Sequence, residues 1–473
     1  MSGRTVVFKT VGCKLNISES EALQYEFIKN GWLVTQREDE TTADLFIINT
    51  CTVTSKSEQK ARRLIRLALK GNAVVIVSGC YAQLNKAEIE GIENDEQNCG
   101  GQMSVSDETK RLFVVGGRQK GIILSLPKYI AAEKEKGVPL NKIARNFFNE
   151  TQSARNDPFV FDAQGFIFHS RAFLKIQDGC DNHCTYCRVH IARGKSVSLD
   201  AAAVLARLQK LEESGFSEVV LSGVNICQYN SGIHLQAHSQ QVQMDLSALL
   251  EFLLAGTKKI AIRLSSLEPD FISDHFLKVC ADKRIMPHFH ICVQSFSNSV
   301  LKRMERKYTA AVAMDCIKSL RTIKDDPFIA ADIICGFCGE TDADFIETYA
   351  ACKAIDFAWI HAFPFSKREG TAAFNFEDNV AQNIVKERVK KLSELAKFGK
   401  NGYIVRWIDK EIDAVVIDKD AAVSANYLKL AASGSIVLPQ KGSAFRAKIL
   451  GVADKQNADA FFVPICVRAS VSA

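Results

Sequence analysis

The sequence predicts an α/β protein built from three modules. They are an N-terminal parallel α/β domain over residues 1–120, a central α/β barrel, partial or closed, over 166–400, and a small C-terminal all-β barrel over 403–473. Residues 121–165 read as a linker. Three observations carry this prediction. Strand-like runs alternate with helical patterns from the first residues, the signature of βαβ units and a parallel sheet. From Arg171 the alternation resumes and repeats through six βα units, which predicts a barrel with its site at the carboxyl ends of the strands. Beyond residue 403, short Val/Ile runs and several glycines replace the alternation, as in a small β module.

In order, the first strands are expected at 5–11 (TVVFKTV), 44–50 (DLFIINT) and 73–79 (AVVIVSG). A periodic stretch after Ser18 and a basic one over 57–71 supply the helices between them. Residues 91–165 are less regular, with polar and glycine-rich pieces. The barrel strands are expected at 172–178, 217–224, 259–268, 288–295, 328–337 and 358–366, with helical stretches in each gap. A helix over 386–400 leads out into the β module.

Composition is ordinary for a globular chain: 47% hydrophobic and 24% charged, with a formal charge of +6 from 60 Lys+Arg against 54 Asp+Glu. That balance is mildly basic and compatible with an RNA partner. No apolar run approaches the roughly 18 residues needed to span a membrane. The opening MSGRTVVFKTVG lacks the apolar stretch of a signal peptide and reads as a strand. The expected location is therefore cytoplasmic. In that reducing compartment the 15 cysteines are buried small hydrophobes or ligands for soft metals, and position must sort them.

Two sets stand out. Cys13, Cys51 and Cys80 each follow one of the three N-terminal strands, and in a parallel sheet ligands collect outside the carboxyl ends of strands. Three buried core cysteines are the alternative. Cys180, Cys184 and Cys187 lie in GCDNHCTYC with C-x3-C-x2-C spacing, just beyond the first barrel strand. Thiolates select soft metals and hold iron–sulfur clusters. Zinc, with His183 or His190 as fourth ligand, is the competing metal. Three protein ligands on a four-iron cluster leave one iron open, as a catalytic site needs. Cys99, Cys227, Cys280, Cys292, Cys316, Cys335, Cys338, Cys352 and Cys466 read as structural.

With these motifs the chain resembles the radical S-adenosylmethionine methylthiotransferases over nearly its whole length. The flanks TVGCKLN, INTCTVTSKSEQKARRLIR, SGCYAQ, RAFLKIQDGC, RLSSLEP and VLKRMERKYT are similar to the threonylcarbamoyl-adenosine tRNA branch. The resemblance implies a radical S-adenosylmethionine barrel, a C-terminal TRAM-like RNA-binding β domain, and two 4Fe–4S clusters with S-adenosylmethionine as cosubstrate. Cys180, Cys184 and Cys187 would hold the radical-generating cluster. Cys13, Cys51 and Cys80 would hold the one that builds or donates the methylthio group. The implied partners are a tRNA anticodon loop and a reducing electron donor, with no membrane. Rival expectations are another tRNA adenosine, a ribosomal protein, or a non-catalytic iron–sulfur or zinc scaffold that binds RNA.

The chain departs from the family pattern near the expected cosubstrate site. Phe296 stands where Gly is usual after Gln294 and Ser295, Cys338 replaces Pro in GFCGET, and RVHI (188–191) replaces Ile-Ile-Pro-Tyr. Tyr186 matches an aromatic that packs near the adenine, or else covers the core. Gln294 and Ser295 end a strand at the expected mouth, where they are candidate adenosine contacts. Glu340 reads as a first-turn helix carboxylate. The basic helix with Lys60, Arg62, Arg63, Arg66 and Lys70 reads as a solvated helix spread over more than one face, with a phosphate contact as the alternative.

Overall fold

Val6 to Phe8, Phe46 to Ile48 and Val74 to Val77 are runs of β-branched and aromatic residues without polar alternation, the pattern of strands buried on both faces. In the computed structural model they form a parallel sheet. The structure describes residues 4–36, 43–98, 108–133, 137–151, 157–162, 171–234, 241–434, 437–455 and 458–465; Cys99 and Cys466 lie outside these. The strands are β1 (Thr5–Thr10), β2 (Leu33–Thr35), β3 (Leu45–Thr50), β4 (Val74–Gly79) and β5 (Leu112–Gly116), in the order β2-β1-β3-β4-β5. Every neighbouring pair is parallel. One face packs Phe8, Phe27, Ile47 and Ile76, and the other Val7, Ile48, Ile65 and Val77.

Two expectations for this region change. The first helix spans Lys14–Lys29, so it begins directly after Cys13 rather than after Ser18. Residues 121–165, read as a linker, contain the helices Leu126–Glu133 and Leu140–Glu150. Ile143, Ala144 and Phe147 share one face of the second and are buried in the same core as β1 and β3. Polar residues between them dilute the period. β5 was hidden likewise, beside a polar stretch.

The chain divides into two compact units, Met1–Phe168 with Asp178–Asn182 and Cys187–Val197, and His169–Gln177 with His183–Tyr186 and Ser198–Ala473. In the second unit Ala172–Lys175, Glu218–Ser222 and Ala261–Leu264 form one parallel three-stranded sheet. His288–Gln294, Phe328–Cys335 and Trp359–Pro364 form another. Single parallel bridges, Ile262 with Ile285 and Leu267 with Ile291, join the two. Among the described residues no ladder pairs the first strand with the last, so the six-stranded barrel is partial.

The exit helix is longer than expected, Gln382–Trp407, and the β module begins at Glu411 rather than 403. A Cβ at Gly399 would lie 2.2 Å from the Phe357 carbonyl oxygen, so the residue permits close packing while Tyr403, Ile404 and Trp407 continue the buried face. Five strands between Glu411 and Pro464 close into a barrel. Arg263, with no exposed surface, makes a two-pronged bond to Glu218 at 2.8 and 2.7 Å and donates to the Ala425 carbonyl at 3.0 Å. It thereby ties the partial barrel to the β module within this unit. Burial alone would raise the Glu218 carboxyl; Arg263 and then Arg171 outweigh it and hold the group below its usual range. No helix among the described residues is long and apolar enough to cross a membrane.

Candidate functional site: two three-cysteine sets

β1, β3 and β4 are adjacent and parallel, so their carboxyl ends lie side by side. Cys51 and Cys80 directly follow β3 and β4, and Cys13 follows β1 after Val11 and Gly12. The glycines make the approach possible. Gly12 has φ +113°, and a Cβ there would fall 2.4 Å from the Cys51 Cβ. Gly79 has φ +105°, and its Cβ would fall 2.2 Å from the Thr50 carbonyl oxygen. Only a residue without Cβ adopts those angles in that space. The sheet thus gathers three residues that are 38 and 29 positions apart in sequence.

All three thiols are free; Cys13 is exposed, Cys51 and Cys80 are buried. Burial, then the neighbouring Cys13, pushes the Cys51 thiol up to about 12. Burial also raises Cys80, against the opposing pull of Arg193. Arg193 Nε donates to Cys80 Sγ at 3.3 Å, Nη1 to Asp178 at 3.0 Å and Glu19 at 3.1 Å, and Nη2 to Asn16 Oδ1 at 2.8 Å. Burial would lower Arg193, but Asp178, then Cys80 and Glu19, hold it well above its ordinary value. Lys120 bonds the same Glu19 and donates to Asn49 Oδ1 at 2.8 Å. The Val53 amide donates to Cys51 Sγ at 3.4 Å. A buried cation and an amide aimed at sulfur suit thiolates, and metal binding removes the thiol protons that burial otherwise retains. The donor set fits an iron–sulfur cluster.

The second set lies on one loop. The Cys180 amide donates to the Gly194 carbonyl at 3.0 Å, next to Arg193. Cys180 Sγ accepts from the Asn182 amide and Cys187 Sγ from the Val189 amide, both at 3.4 Å. Cys184 is buried, and its sulfur accepts from Arg306 Nη1 at 3.1 Å. Arg306 is also paired with Glu268 and donates to the Cys292 carbonyl at 3.3 Å. Each sulfur therefore meets a donor, as thiolates ligating iron do.

The remaining expected residues divide. Tyr186 is half-buried, packs edge-on to Phe337 at 6.4 Å, and its hydroxyl lies 3.5 Å from Arg306. Gln294 is buried at a bulge with φ +64°, a left-handed conformation rare outside glycine. Ser295 directly follows the strand His288–Gln294 and is 1% exposed, its hydroxyl shared with Thr348 of the helix Asp342–Ile355 at 3.1 Å and accepting from the Ser297 amide. Phe296 needs no glycine, since the positive φ falls on Gln294, and it packs against Phe357. Glu340 precedes the helix Asp342–Ile355 and its cap Thr341, so it is not a first-turn carboxylate; it is a buried partner of Arg388 at 2.5 Å and accepts from the Gly336 amide. In RVHI, Arg188 reaches Glu58 at 3.2 Å and Asn85 at 3.3 Å. His183 is exposed. Arg62 is drawn to the Tyr81 hydroxyl and Glu88, whereas Lys60, Arg63, Arg66 and Lys70 lie exposed opposite the buried Ala61, Ile65 and Ala68. The basic residues thus occupy one side, not several. Arg193, Arg306, Glu19, Lys120 and Glu268 were not anticipated; Glu268 and Arg306 lie inside the motifs RLSSLEP and VLKRMERKYT, whereas Glu19, Lys120 and Arg193 lie outside the quoted motifs.

Residues 5–100 match a family described as uncharacterized protein family UPF0004, and residues 174–352 match the radical SAM superfamily. A threonylcarbamoyladenosine tRNA methylthiotransferase of Treponema pallidum (strain Nichols) is 38% identical over 464 residues, covering 90% of this chain and 94% of its own. One of Bacillus subtilis (strain 168) is 36% identical over 395 residues, 83% of this chain and 80% of its own. A tRNA-2-methylthio-N(6)-dimethylallyladenosine synthase of Clostridium novyi (strain NT) is 30% identical over 391 residues, 81% of this chain and 79% of its own.

Proposed function

This chain belongs to the radical S-adenosylmethionine methylthiotransferases, in the threonylcarbamoyladenosine tRNA branch, and we propose on that premise how its residues divide the work. The reaction replaces the C–H at carbon two of an N6-threonylcarbamoyladenosine beside the anticodon with a methylthio group. Its cofactors are two 4Fe–4S clusters and S-adenosylmethionine. The full-length likeness to the Treponema relative carries this reading. Unstacked bases of a single-stranded loop are where such a target can be read, so the anticodon loop is the assigned partner. A reducing electron donor and a cytoplasmic location complete the proposal, since the tRNA substrate resides there.

Cys180, Cys184 and Cys187 would hold one cluster and Cys13, Cys51 and Cys80 the other. Once bound, the first would supply the electron that cleaves the sulfonium bond of S-adenosylmethionine. Arg306, balanced by Glu268, sets positive charge against Cys184 and fixes that sulfur from the barrel side. Tyr186, in an apolar cluster with Met304, Phe337 and Phe365, excludes water beside it. The left-handed Gln294 re-aims its strand end and is the assigned adenosine contact. Arg193 sets positive charge against Cys80 while keeping its own charge compensated by Asp178 and Glu19.

The test is nucleoside mass spectrometry of tRNA from a strain lacking the gene. The methylthiolated nucleoside should vanish, return with the wild-type gene, and stay absent with Cys184→Ala. Persistence of the nucleoside in the deletion strain would overturn the assignment.

A further inference from the structure

The helix Leu140–Glu150 carries an arginine that its surroundings leave without a counter-charge. Ile143, Ala144 and Phe147 of this helix are buried in the core, whereas Arg145 is half-buried and lines a cavity of about 170 Å³. The cavity lies within the first compact unit. Phe113 of β5 and Phe148, ring centroids 5.4 Å apart, form part of its apolar wall. Its other charged lining groups are Lys86, Lys110 and Glu90. Arg145 Nε and Nη2 are both buried and have no acceptor among the described residues. Neither Arg145 nor Lys110 has a carboxylate partner there, and Lys86 reaches only Glu90, at 3.9 Å on the surface.

A buried N–H without an acceptor is costly, and a buried charge without a counter-charge more so. Water in the cavity would satisfy the N–H groups but leave the charge unbalanced. The lining therefore calls for an anion, and three features say which. Volume limits its bulk: a cavity of about 150 Å³ accommodates benzene, so this one suits a group of about six heavy atoms and not a whole nucleotide. Charge sets its valence, since three cations against one carboxylate leave a formal +2. A carboxylate or an RNA phosphodiester brings a single negative charge, whereas a terminal phosphate brings about 1.5 to 2 at neutral pH. Geometry sets its shape. Nε and Nη2 form one edge of the guanidinium, whose two parallel N–H bonds match two oxygens of one phosphate.

We propose that this cavity is a phosphate-binding site, taking orthophosphate or the terminal phosphate of a small phosphomonoester. The Nε–Nη2 edge of Arg145 would hold two of its oxygens, with Lys110 and Lys86 balancing the remaining charge. None of the lining residues takes part in the chemistry proposed above, so the site is additional to that function and does not depend on it.

The test titrates the full-length, anaerobically reconstituted protein by calorimetry and by thermal melting. The probes are orthophosphate, adenosine 5′-monophosphate, and an anticodon stem–loop RNA without terminal phosphates. Orthophosphate should bind with a Kd below about 1 mM and raise the melting temperature as its concentration rises. Tighter binding of the monophosphate would identify a phosphomonoester as the source, and tighter binding of orthophosphate the free ion; either supports the site. Arg145→Met should weaken phosphate binding by roughly 10- to 100-fold, the range of hydrogen bonds to a charged group. Arg145→Lys, which keeps the charge without the fork, should retain part of the affinity, and Lys110→Met should lose severalfold. Without phosphate, Arg145→Met should melt no lower than wild type, because it removes an uncompensated buried charge. A lower melting temperature there would mark a structural arginine and overturn the proposal. So would a wild type that binds neither phosphate probe, unchanged phosphate binding in Arg145→Met, or an effect of that variant confined to the RNA.

Discussion

The two three-cysteine sets serve similar thiolate chemistry and are built in opposite ways. Cys180, Cys184 and Cys187 lie within eight residues of one loop, and two of the sulfurs are capped by amides only two residues further on. Cys13, Cys51 and Cys80 come from three separate strands and meet only because β1, β3 and β4 are neighbours and Gly12 and Gly79 have no Cβ. The local set owes its spacing to covalent connection. The dispersed set owes it to a folded sheet, and it sits among buried charges, Arg193, Lys120, Glu19 and Asp178, that must stay mutually compensated. The first set should therefore tolerate a local fault in the sheet, whereas the second should not.

The largest effects come from removing the ligands. Cys184→Ala should abolish both deoxyadenosine release and methylthio transfer. Cys51→Ala should abolish methylthio transfer while deoxyadenosine release under reduction persists. A Cys51→Ala enzyme that folds and still methylthiolates at the wild-type rate would reduce the dispersed set to structural cysteines.

Iron content separates the sets without removing any sulfur. Two clusters imply about eight irons per chain. Gly12→Val places side-chain atoms against Cys51 and forbids the φ of +113°, so it should leave about four irons and retain deoxyadenosine release. Changing Cys180, Cys184 and Cys187 together to Ala should also leave about four irons and lose that release. Parallel loss of all iron in Gly12→Val would break the distinction between local and dispersed assembly.

Smaller effects should follow from the two cations. Groups that support metal ligands typically contribute 10–100-fold to metal affinity or activity. Arg193→Met should lower methylthio transfer in that range, and Arg306→Met should lower cleavage of S-adenosylmethionine as well. Equal effects of both variants on cleavage would mean that the cations act through folding rather than through their sulfurs.

The smallest effect is expected from the exposed side of the helix Ser55–Leu69. Changing Lys60, Arg63 and Arg66 to Gln should weaken tRNA binding severalfold. The slope of log affinity against log salt should flatten by roughly 0.7–0.9 for each phosphate that is no longer neutralised. An unchanged slope would assign the phosphate binding elsewhere, with the C-terminal barrel the next surface to test.

Much of this was legible in sequence because it depends on near neighbours along the chain. The C-x3-C-x2-C spacing, the apolar runs of β3 and β4 and the six-fold βα alternation are local patterns, and covalent connection fixes what they imply. The strand-then-cysteine placement of Cys13, Cys51 and Cys80 was legible as a possibility. Other features were not. The linker reading of 121–165 failed because Ile143, Ala144 and Phe147 are sparse among polar residues, and only a neighbouring sheet shows that their face is covered. The helix Gln382–Trp407 runs through Gly399 because the Phe357 carbonyl lies against it, a meeting of residues 42 positions apart.

The sequence by itself determined the chemistry available: two three-cysteine sets, strand order along the chain, and no apolar span of membrane length. Tertiary structure decided which groups face those thiols and one another. Arg193 reaches Cys80 across 113 positions, Arg306 reaches Cys184 across 122, and His290, Asp332 and His361 converge from three strands. Sequence separation carries no information about such meetings. The last of them arises when burial of the apolar faces sets the register of parallel strands, and that register then selects the polar side chains that share the opposite face.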